Sequence, residues 1–285
     1  MNSYLFACIL GVNRQPVFDG LEVIALTHAA SRSSGWIRAV DEALLRHQAA
    51  EQECDAIVLS RHQTAQQKRL LVMDFDSTLV TSEGLDMLAA HHGTGYQVAR
   101  LTKQAMQGNL DFAQSLNSRL ATLAGTRLAT VDTLADQQPL QPGMRELVTQ
   151  AQQAKVETAI ISGGFDRCIA PIAKKLGINR ILCNRFELAG DRLTGKVQGR
   201  IIDAQAKRQG LLDIALQLGI GPDQTMALGD GANDIPMLKA ATIGIALHPK
   251  SALVRKNPNA IVHTSPAELV FLLQSQQFPD SENRK

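Results

Sequence analysis

Short apolar runs alternate with helical patterns along most of the chain, and this alternation predicts an α/β fold. The run at residues 70–73 follows two basic residues and suits a strand that is buried on both faces of a parallel sheet. Similar runs predict further core strands at residues 156–161, 181–184, 225–228, 242–247 and 260–262. Apolar stripes at helical spacing predict helices between them, including 144–153, 203–218 and a last one at 266–273. We therefore expect a doubly wound, Rossmann-like parallel sheet with helices on both faces.

Two further segments interrupt or precede this core. The pattern from residue 79 to 136 is helical without a strand, which is too long for one crossover and predicts an inserted helical cap at 82–136. The core is then formed by residues 68–81 and 137–277, with a β-hairpin at 186–197.

Residues 1–67 predict a small N-terminal α/β subdomain. Strand candidates occur at 4–10, 21–26 and 56–60, and a helix is expected at 37–49. A segment rich in Gln and basic residues, 61–69, is expected to join the subdomain to the core. We expect a packing module here, although effector binding or dimerisation is an alternative. The last six residues, 280–285, are expected to form a solvated tail.

Composition narrows the classes of partner. Hydrophobic residues make up 45% of the 285 residues and charged residues 20%, which is ordinary for a soluble globular protein. A net charge of +2 and an aromatic fraction of 4% give no reason to expect nucleic acid. No segment approaches the ~20 apolar residues of a membrane span, and four widely spaced cysteines suggest free thiols in a reducing cytosol. We expect a cytoplasmic protein that does not bind membranes, and a homo-oligomer is left open.

Two carboxylates follow the strand at 70–73 directly. Asp74 and Asp76 fall at the carboxyl end of a parallel strand, where open α/β sheets bind their ligands. Two acids this close repel each other unless a cation lies between them, and their oxygens suit Mg²⁺. One of the pair could then act as nucleophile and the other as general acid and base. Taken alone, the motif could equally be a turn that caps a helix.

Three more features of the core point to phosphate chemistry. Ser162, Gly163 and Gly164 follow the strand at 156–161 and would let backbone N–H groups approach a phosphoryl oxygen. Lys207 heads the apolar stripe of the helix at 203–218 and could reach a phosphate. The string G-D-G-A-N-D at 229–234 ends another strand, and it offers an oxygen ligand in Asp230 and polar contacts in Asn233 and Asp234.

The cap carries one acid and one base that could recognise an amino acid. Glu83 lies at the entry to the cap, and Phe112 and Arg119 share the apolar face of a helix expected at 110–124. Glu83 could bind an ammonium and Arg119 a carboxylate, as a zwitterionic substrate would require. Without that context, an arginine whose stem packs and whose head reaches water is the simpler interpretation.

These motifs together resemble the haloacid dehalogenase superfamily and, within it, the phosphoserine phosphatases. The string D-F-D-S-T at 74–78, S-G-G at 162–164, Lys207 and G-D-G-A-N-D at 229–234 occur in the family's order, and M-Q-G-N-L-D-F-A-Q-S-L-N-S-R at 106–119 resembles its cap segment. The N-terminal part is where the resemblance thins.

The resemblance implies hydrolysis of O-phospho-L-serine, the last step of serine biosynthesis. It implies Asp74 as the nucleophile and Asp76 as the general acid and base, with Lys207 and Ser162 assisting. It implies Mg²⁺ on Asp74, Asp230 and the backbone carbonyl of Asp76. It implies that Thr78 and Asp234 support the site. The residues that would bind the substrate are Glu83, Phe112, Arg119, Ser162, Gly163, Lys207 and Asn233.

Other functions keep part of this pattern. A phosphatase for another small phosphorylated metabolite, or a phosphotransferase that passes the group to an alcohol, would retain Asp74 and differ in the cap. A receiver-like module phosphorylated on Asp74 would need neither Asp76 nor a large cap. A scaffold regulated through residues 1–67 is a further alternative.

Overall fold

The computed structural model describes residues 4–10, 19–21, 23–29, 32–38, 41–106, 111–249, 254 and 260–276. The strands within these ranges are β1 Tyr4–Leu10, β2 Val23–Ala29, β3 Arg32–Arg38, β4 Asp55–Ser60, β5 Leu70–Met73, β6 Glu157–Phe165, β7 Arg180–Asn184, β8 Phe186–Ala189, β9 Arg192–Val197, β10 Thr225–Gly229, β11 Ile243–Leu247 and β12 Ala260–Val262. The α-helices are α1 Glu42–Glu51, α2 Arg61–Thr64, α3 Gly84–His92, α4 Gly95–Met106, α5 Phe112–Ala121, α6 Leu128–Asp136, α7 Met144–Gln153, α8 Asp166–Lys175, α9 Ala204–Gln217 and α10 Ile235–Ala240.

The core is a parallel sheet wound in two directions. Its strands lie in the order β12-β11-β10-β5-β6-β7, and every neighbouring pair among them is parallel. From β5 the chain continues outward through β6 and β7, then returns to β10 on the other side of β5. The switch in direction therefore falls between β5 and β10, where α/β proteins bind ligands. The predicted fold class is confirmed, and the segment predicted as a last helix, Pro266–Leu273, is a 3-10 helix.

The N-terminal strands extend the same sheet with antiparallel pairing. Their order is β2-β3-β1-β4, and β4 meets β12 through the pair Ala260 and Ile57. The predicted helix at 37–49 was wrong at its start, because Ile37 lies in β3 and the helix begins at Glu42. Strand β3 is buried at every position from 33 to 37, including Ser33 and Ser34, so its sequence shows neither a period-two alternation nor a continuous apolar run. The strand predicted at 21–26 is β2, and residue 22 lies outside the described residues.

The segment at 61–69, expected to be a linker, is built into the structure. It contains α2 and the side chain of Lys68, which is 1% exposed. The Lys68 ammonium donates hydrogen bonds of 2.8–3.0 Å to the carbonyls of Gln63, Gln66 and Asp223. This cation thus joins the segment to the core. The division into an N-terminal subdomain, core and cap stays a prediction.

Helices α3, α4, α5 and α6 occupy the segment that was predicted to be helical, and we call them the cap. Its helices pack an apolar cluster against Phe165, Phe186 and Leu193 of the core. The rings of Phe165 and Phe186 stack at 4.0 Å between centroids. Among the described helices, none combines the length and the apolar character that crossing a bilayer requires. Part of the predicted cap segment, 107–110, and the predicted tail at 280–285 lie outside the described residues.

Candidate active site

Asp74 lies at the switch point, immediately after the fully buried strand β5. Its backbone N–H donates to the carbonyl of Leu228 on β10 at 3.0 Å, so the pairing of the two strands continues to this residue. Oδ1 accepts a 2.7 Å hydrogen bond from the Phe75 N–H, and Oδ2 lies 2.8 Å from the Lys207 ammonium. The carboxylate is thereby held in one orientation at the carboxyl edge of the sheet.

Lys207 lies between two buried carboxylates. Its Nζ is 2.8 Å from Asp74 Oδ2 and 2.7 Å from Asp234 Oδ1, and the side chain has no exposed surface. The helix that carries it begins after Asp203, whose side chain accepts the Ala206 N–H. Burial alone would lower the pKa of Lys207, but the charges of Asp234 and Asp74 raise it above its ordinary value. The lysine therefore stays charged behind the nucleophile candidate.

Three carboxylates converge where a cation would fit. One oxygen each from Asp74, Asp230 and Asp234 lie within 4.8 Å of one another. Both oxygens of Asp234 already accept protein hydrogen bonds, from Lys207 and from the Gly231 N–H at 2.9 Å. The Thr78 hydroxyl donates to Asp230 Oδ1 at 3.2 Å and steadies it. All the candidate ligand atoms are oxygens, and the charge of Lys207 neutralises part of the negative charge of the cluster. This arrangement fits a hard divalent cation bound by Asp74 and Asp230.

The side chain of Asp76 turns away from this acidic cluster. Its Oδ1 accepts a 2.8 Å hydrogen bond from the N–H of Gly84, the first residue of cap helix α3. Burial, followed by the charge of Glu83, raises the pKa of Asp76 to about 8. In this environment the carboxyl keeps its proton to a higher pH than an ordinary aspartic acid does. A carboxyl with a raised pKa can act as a proton donor. The two-residue spacing from Asp74 did not by itself explain why Asp76 would keep its proton.

The predicted phosphate loop continues strand β6 instead of following it. Ser162, Gly163 and Gly164 belong to the strand, and the Gly164 N–H donates to Ser162 Oγ at 3.0 Å. A Cβ on Gly164 would lie 2.7 Å from Asp76 Oδ2, so glycine leaves room for the acid. The Ser162 hydroxyl keeps its own proton available for an acceptor in the cavity.

Asn184 was not predicted from sequence, although a polar residue at the end of a parallel strand is the signal that could have found it. The side chain is 1% exposed. Its Nδ2 donates to the Gly163 carbonyl at 2.7 Å, and its Oδ1 accepts the Ile202 N–H at 2.8 Å. Asn184 thus ties the glycine loop to the segment that leads into the helix of Lys207.

Cap and core together enclose a small cavity of about 190 Å³. The predicted site residues that line it are Asp74, Asp76, Glu83, Phe112, Arg119, Ser162, Gly163, Asp230 and Asn233. Lys207, Thr78 and Asp234 lie behind this wall. A Cβ on Gly163 would lie 3.0 Å from the Phe112 ring, so the missing side chain lets the cap approach the core closely. Gly84 and Cys168 also line the cavity and were not predicted.

Arg119 brings an unsatisfied donor to this cavity. Its Nε is buried and has no hydrogen-bond partner within the described residues. A buried guanidinium N–H without an acceptor is costly, and an anion in the cavity would satisfy it. Glu83 is the complementary group, and its Oε1 accepts a 2.7 Å hydrogen bond from the Ser77 hydroxyl.

Next to this cavity lies a wider one of about 570 Å³ between the cap and the start of α9. Phe112, Arg119 and Asn233 border both cavities. The other residues around it include Thr102 and Ser115 of the cap. These shared side chains therefore form the boundary between the catalytic pocket and the adjacent space.

Comparison with known proteins agrees with the motifs. The model of haloacid dehalogenase-like hydrolases matches residues 68–242. A phosphoserine phosphatase of Mycobacterium tuberculosis is 42% identical over 79% of this chain and 55% of its own length. A phosphoserine phosphatase of Idiomarina loihiensis is 42% identical over 65% of this chain and 84% of its own length.

Similarity in structure extends over nearly the whole chain. The crystal structure of a haloacid dehalogenase family hydrolase from Salmonella enterica serovar Typhi superposes with a TM-score of 0.85 at 26% identity, covering 96% of this chain and 99% of that one. The chain spans about half the length of the first curated relatives that it matches. The resemblance predicted from the motifs is confirmed: the chain belongs to the haloacid dehalogenase-like hydrolases.

Proposed function

We propose that this chain is a phosphoserine phosphatase, which hydrolyses O-phospho-L-serine to L-serine and inorganic phosphate in the last step of serine biosynthesis. The observation that carries the proposal is the buried Nε of Arg119, which has no hydrogen-bond partner in the described part of the chain and lies beside the cavity that Glu83 and Asp74 also line. A carboxylate on the substrate would pair with Arg119, and its ammonium with Glu83. The names of the Mycobacterium and Idiomarina relatives support the same substrate.

In the proposed mechanism, Asp74 attacks phosphorus in line and forms an aspartyl-phosphate, while the bond to the serine oxygen breaks. Asp76, protonated before the reaction, gives its proton to that leaving oxygen and then accepts one from the water that cleaves the intermediate. The Ser162 hydroxyl, the Gly163 N–H and the charge of Lys207 counter the charge on the transferred group.

We propose Mg²⁺ as the cofactor. Asp74, Asp230 and the backbone carbonyl of Asp76 would hold it, and it would supply positive charge beside the phosphoryl oxygens. The all-oxygen donor set supports a hard cation at this position. Asp234 would hold Lys207 in place, because it bonds the Lys207 ammonium at 2.7 Å and, unlike Asp74 and Asp230, does not line the cavity.

Steady-state kinetics with Mg²⁺ test the proposal, using phosphoserine, phosphothreonine, glycerol phosphate and p-nitrophenyl phosphate as substrates. We expect phosphoserine to be preferred. Arg119→Ala and Glu83→Gln should each lower kcat/KM for phosphoserine by about tenfold or more, the loss from one hydrogen bond to a charged group, and affect the aryl phosphate much less. Asp74→Asn should remove turnover of both. Equal losses on both substrates in the cap variants would contradict the substrate assignment.

Transfer to an alcohol is a second candidate, favoured by the 570 Å³ cavity that borders Arg119 and Asn233. An acceptor alcohol bound there would compete with water for the aspartyl-phosphate. With p-nitrophenyl phosphate as the donor, adding glycerol or free serine and measuring released p-nitrophenol, released phosphate and new phosphoester separates the two reactions. If the phosphate released equals the leaving group released at every alcohol concentration, the reaction is hydrolysis alone.

A further inference from the structure

Ser77 has an unusual backbone conformation in the loop that joins the two carboxylates to the cap. Its φ angle is +57°, in the left-handed region that L-residues other than Asn, Asp and Gly seldom adopt. Its N–H donates to the Ser82 carbonyl at 3.2 Å, which closes the loop. In this conformation the Ser77 hydroxyl donates to Glu83 Oε1 at 2.7 Å.

Glu83 is oriented away from its own helix by these contacts. It occupies the N-cap position of α3, where a side chain would normally accept an N–H of the first turn, yet it makes no such hydrogen bond. The first N–H of the helix, on Gly84, donates to Asp76 instead. The Glu83 carboxylate is therefore directed toward Ser77 and the catalytic cavity, of which it forms part of the wall.

Conformational preference alone would favour glycine or asparagine at this position. A left-handed conformation is unfavourable for an L-residue, and serine brings no steric advantage that offsets this cost. What serine does bring is a short hydroxyl that reaches a carboxylate six residues later. A glutamate held by such a hydrogen bond loses less side-chain freedom when a ligand binds.

We propose that Ser77 is a positioning residue that makes the enzyme selective for phosphoesters carrying an ammonium group, because it holds Glu83 in the orientation that binds that group. This inference rests on the proposed function. Ser77 itself contacts neither the phosphoryl group nor the reacting oxygen in this proposal. Its effect should therefore be found in the preference among substrates, measured as the ratio of kcat/KM for phosphoserine to kcat/KM for p-nitrophenyl phosphate.

Two variants of Ser77 separate the hydroxyl from the backbone strain. Ser77→Ala removes the hydroxyl and keeps the strain, whereas Ser77→Gly removes both. We expect each to lower the selectivity ratio about tenfold, as the loss of one hydrogen bond to a charged group implies, mainly through KM for phosphoserine. Thermal melting should distinguish the two, with Ser77→Gly the more stable. Ser82→Ala is the matched control, since Ser82 bonds Gln138 in the same loop, and its ratio should match the wild type.

A double-variant cycle identifies the partner. In a Glu83→Gln background, Ser77→Gly should lower the selectivity ratio much less than it does in the wild type, because the two residues act on one interaction. Additive losses, or an unchanged ratio in both Ser77 variants, would overturn the inference. Failure of the proposed function would be recognised differently, as a wild-type enzyme that does not prefer phosphoserine at all.

Discussion

At the scale of single residues, the site depends on two carboxylates that differ in their surroundings. Asp74 is paired with Lys207 and accepts a backbone N–H, which suits an ionised nucleophile. Asp76 is partly buried, lies near Glu83 and accepts a hydrogen bond from the Gly84 N–H. The environment therefore separates the proposed general acid from the proposed nucleophile, although both come from the same three-residue motif.

The raised pKa of Asp76 predicts the pH dependence of the first chemical step. Proton donation requires the protonated form, so kcat/KM for phosphoserine should fall as pH rises past the pKa of Asp76. Without metal the pKa of Asp76 is about 8. A bound cation would lower this pKa, so the decrease in kcat/KM would then occur at lower pH. The p-nitrophenolate leaving group needs no proton, so kcat/KM for p-nitrophenyl phosphate should not show this decrease over the same pH range. If both substrates showed the same decrease, a titrating group other than Asp76 would be responsible for it.

Lys207 should be needed for stability as well as activity. Lys207→Met leaves Asp74 and Asp234 buried side by side without their cation, which typically costs about 3–5 kcal/mol. We expect that loss in urea unfolding, together with loss of phosphatase activity. Adding Asp234→Asn removes one uncompensated charge and should recover part of the stability without restoring activity. A double variant no more stable than Lys207→Met would contradict this account of the ion pairs.

At the scale of elements, the hairpin β8–β9 fastens the cap to the core. The Gly125 N–H donates to the Leu193 carbonyl at 2.8 Å, the Leu193 N–H to Thr126 at 2.9 Å, and the Arg192 guanidinium to the Gly125 carbonyl at 2.6 Å. Gly195, with φ at +82°, lies where a Cβ would be 3.1 Å from Ala121 Cα. The end of α5, and with it Arg119, is therefore positioned by the hairpin.

This packing predicts different effects for two glycines with the same φ angle. Gly195→Ala and Gly199→Ala should each introduce about 1–2 kcal/mol of backbone strain. Only Gly195→Ala also pushes against the cap, because nothing lies within 4 Å of a Cβ on Gly199. We expect faster limited proteolysis of the cap and a higher KM for phosphoserine in Gly195→Ala. Equal proteolysis rates in the two variants would argue against a hairpin that holds the cap.

At the scale of the whole molecule, one sheet runs through the N-terminal segment and the core. Phe6 and Trp36 pack edge to face at 5.4 Å between ring centroids, and Phe6 also lies 6.2 Å from the ring of Phe271 near the C-terminal end of the core. Apolar residues on one face of β1, β3 and β4 join the same buried cluster as those of β5, β10 and β11, whereas residues on the other face pack with helix α1. The N-terminal strands thus cover apolar surface that the core would otherwise expose to water.

Truncating this shared cluster should destabilise the whole chain. Trp36→Ala removes a side chain that is 3% exposed, and a loss of about 3–5 kcal/mol is usual for such a change. We expect one cooperative urea transition with a lower midpoint. Measurements of phosphatase activity and of circular dichroism should both report this same transition. Leu44→Ala, at a position 40% exposed, is the control and should change little. A separate early transition without loss of activity would instead indicate an independent N-terminal subdomain.

Much of the fold and the choice of chemical groups followed from the sequence alone. The buried run Leu70–Met73 and the helix Met144–Gln153 were predicted at their observed bounds, because apolar periodicity reports burial directly. The four motifs also made Asp74, Lys207 and Asp230 candidate site residues, and the fold brings their side chains close together. Strand β3 was missed because its buried residues include serines, whose burial depends on neighbouring strands instead of on their own polarity.

Tertiary structure decided the contacts that arise between distant segments. Only folding places Asn184 between Gly163 and Ile202, turns Glu83 toward Ser77, and directs Asp76 to the helix N–H of Gly84. The protonation state of Asp76 belongs here too, because desolvation and nearby charge are properties of a filled cavity. Sequence determines which groups are available and on which elements they lie. Distance, direction and exclusion of water are set by packing between elements, which no local pattern encodes.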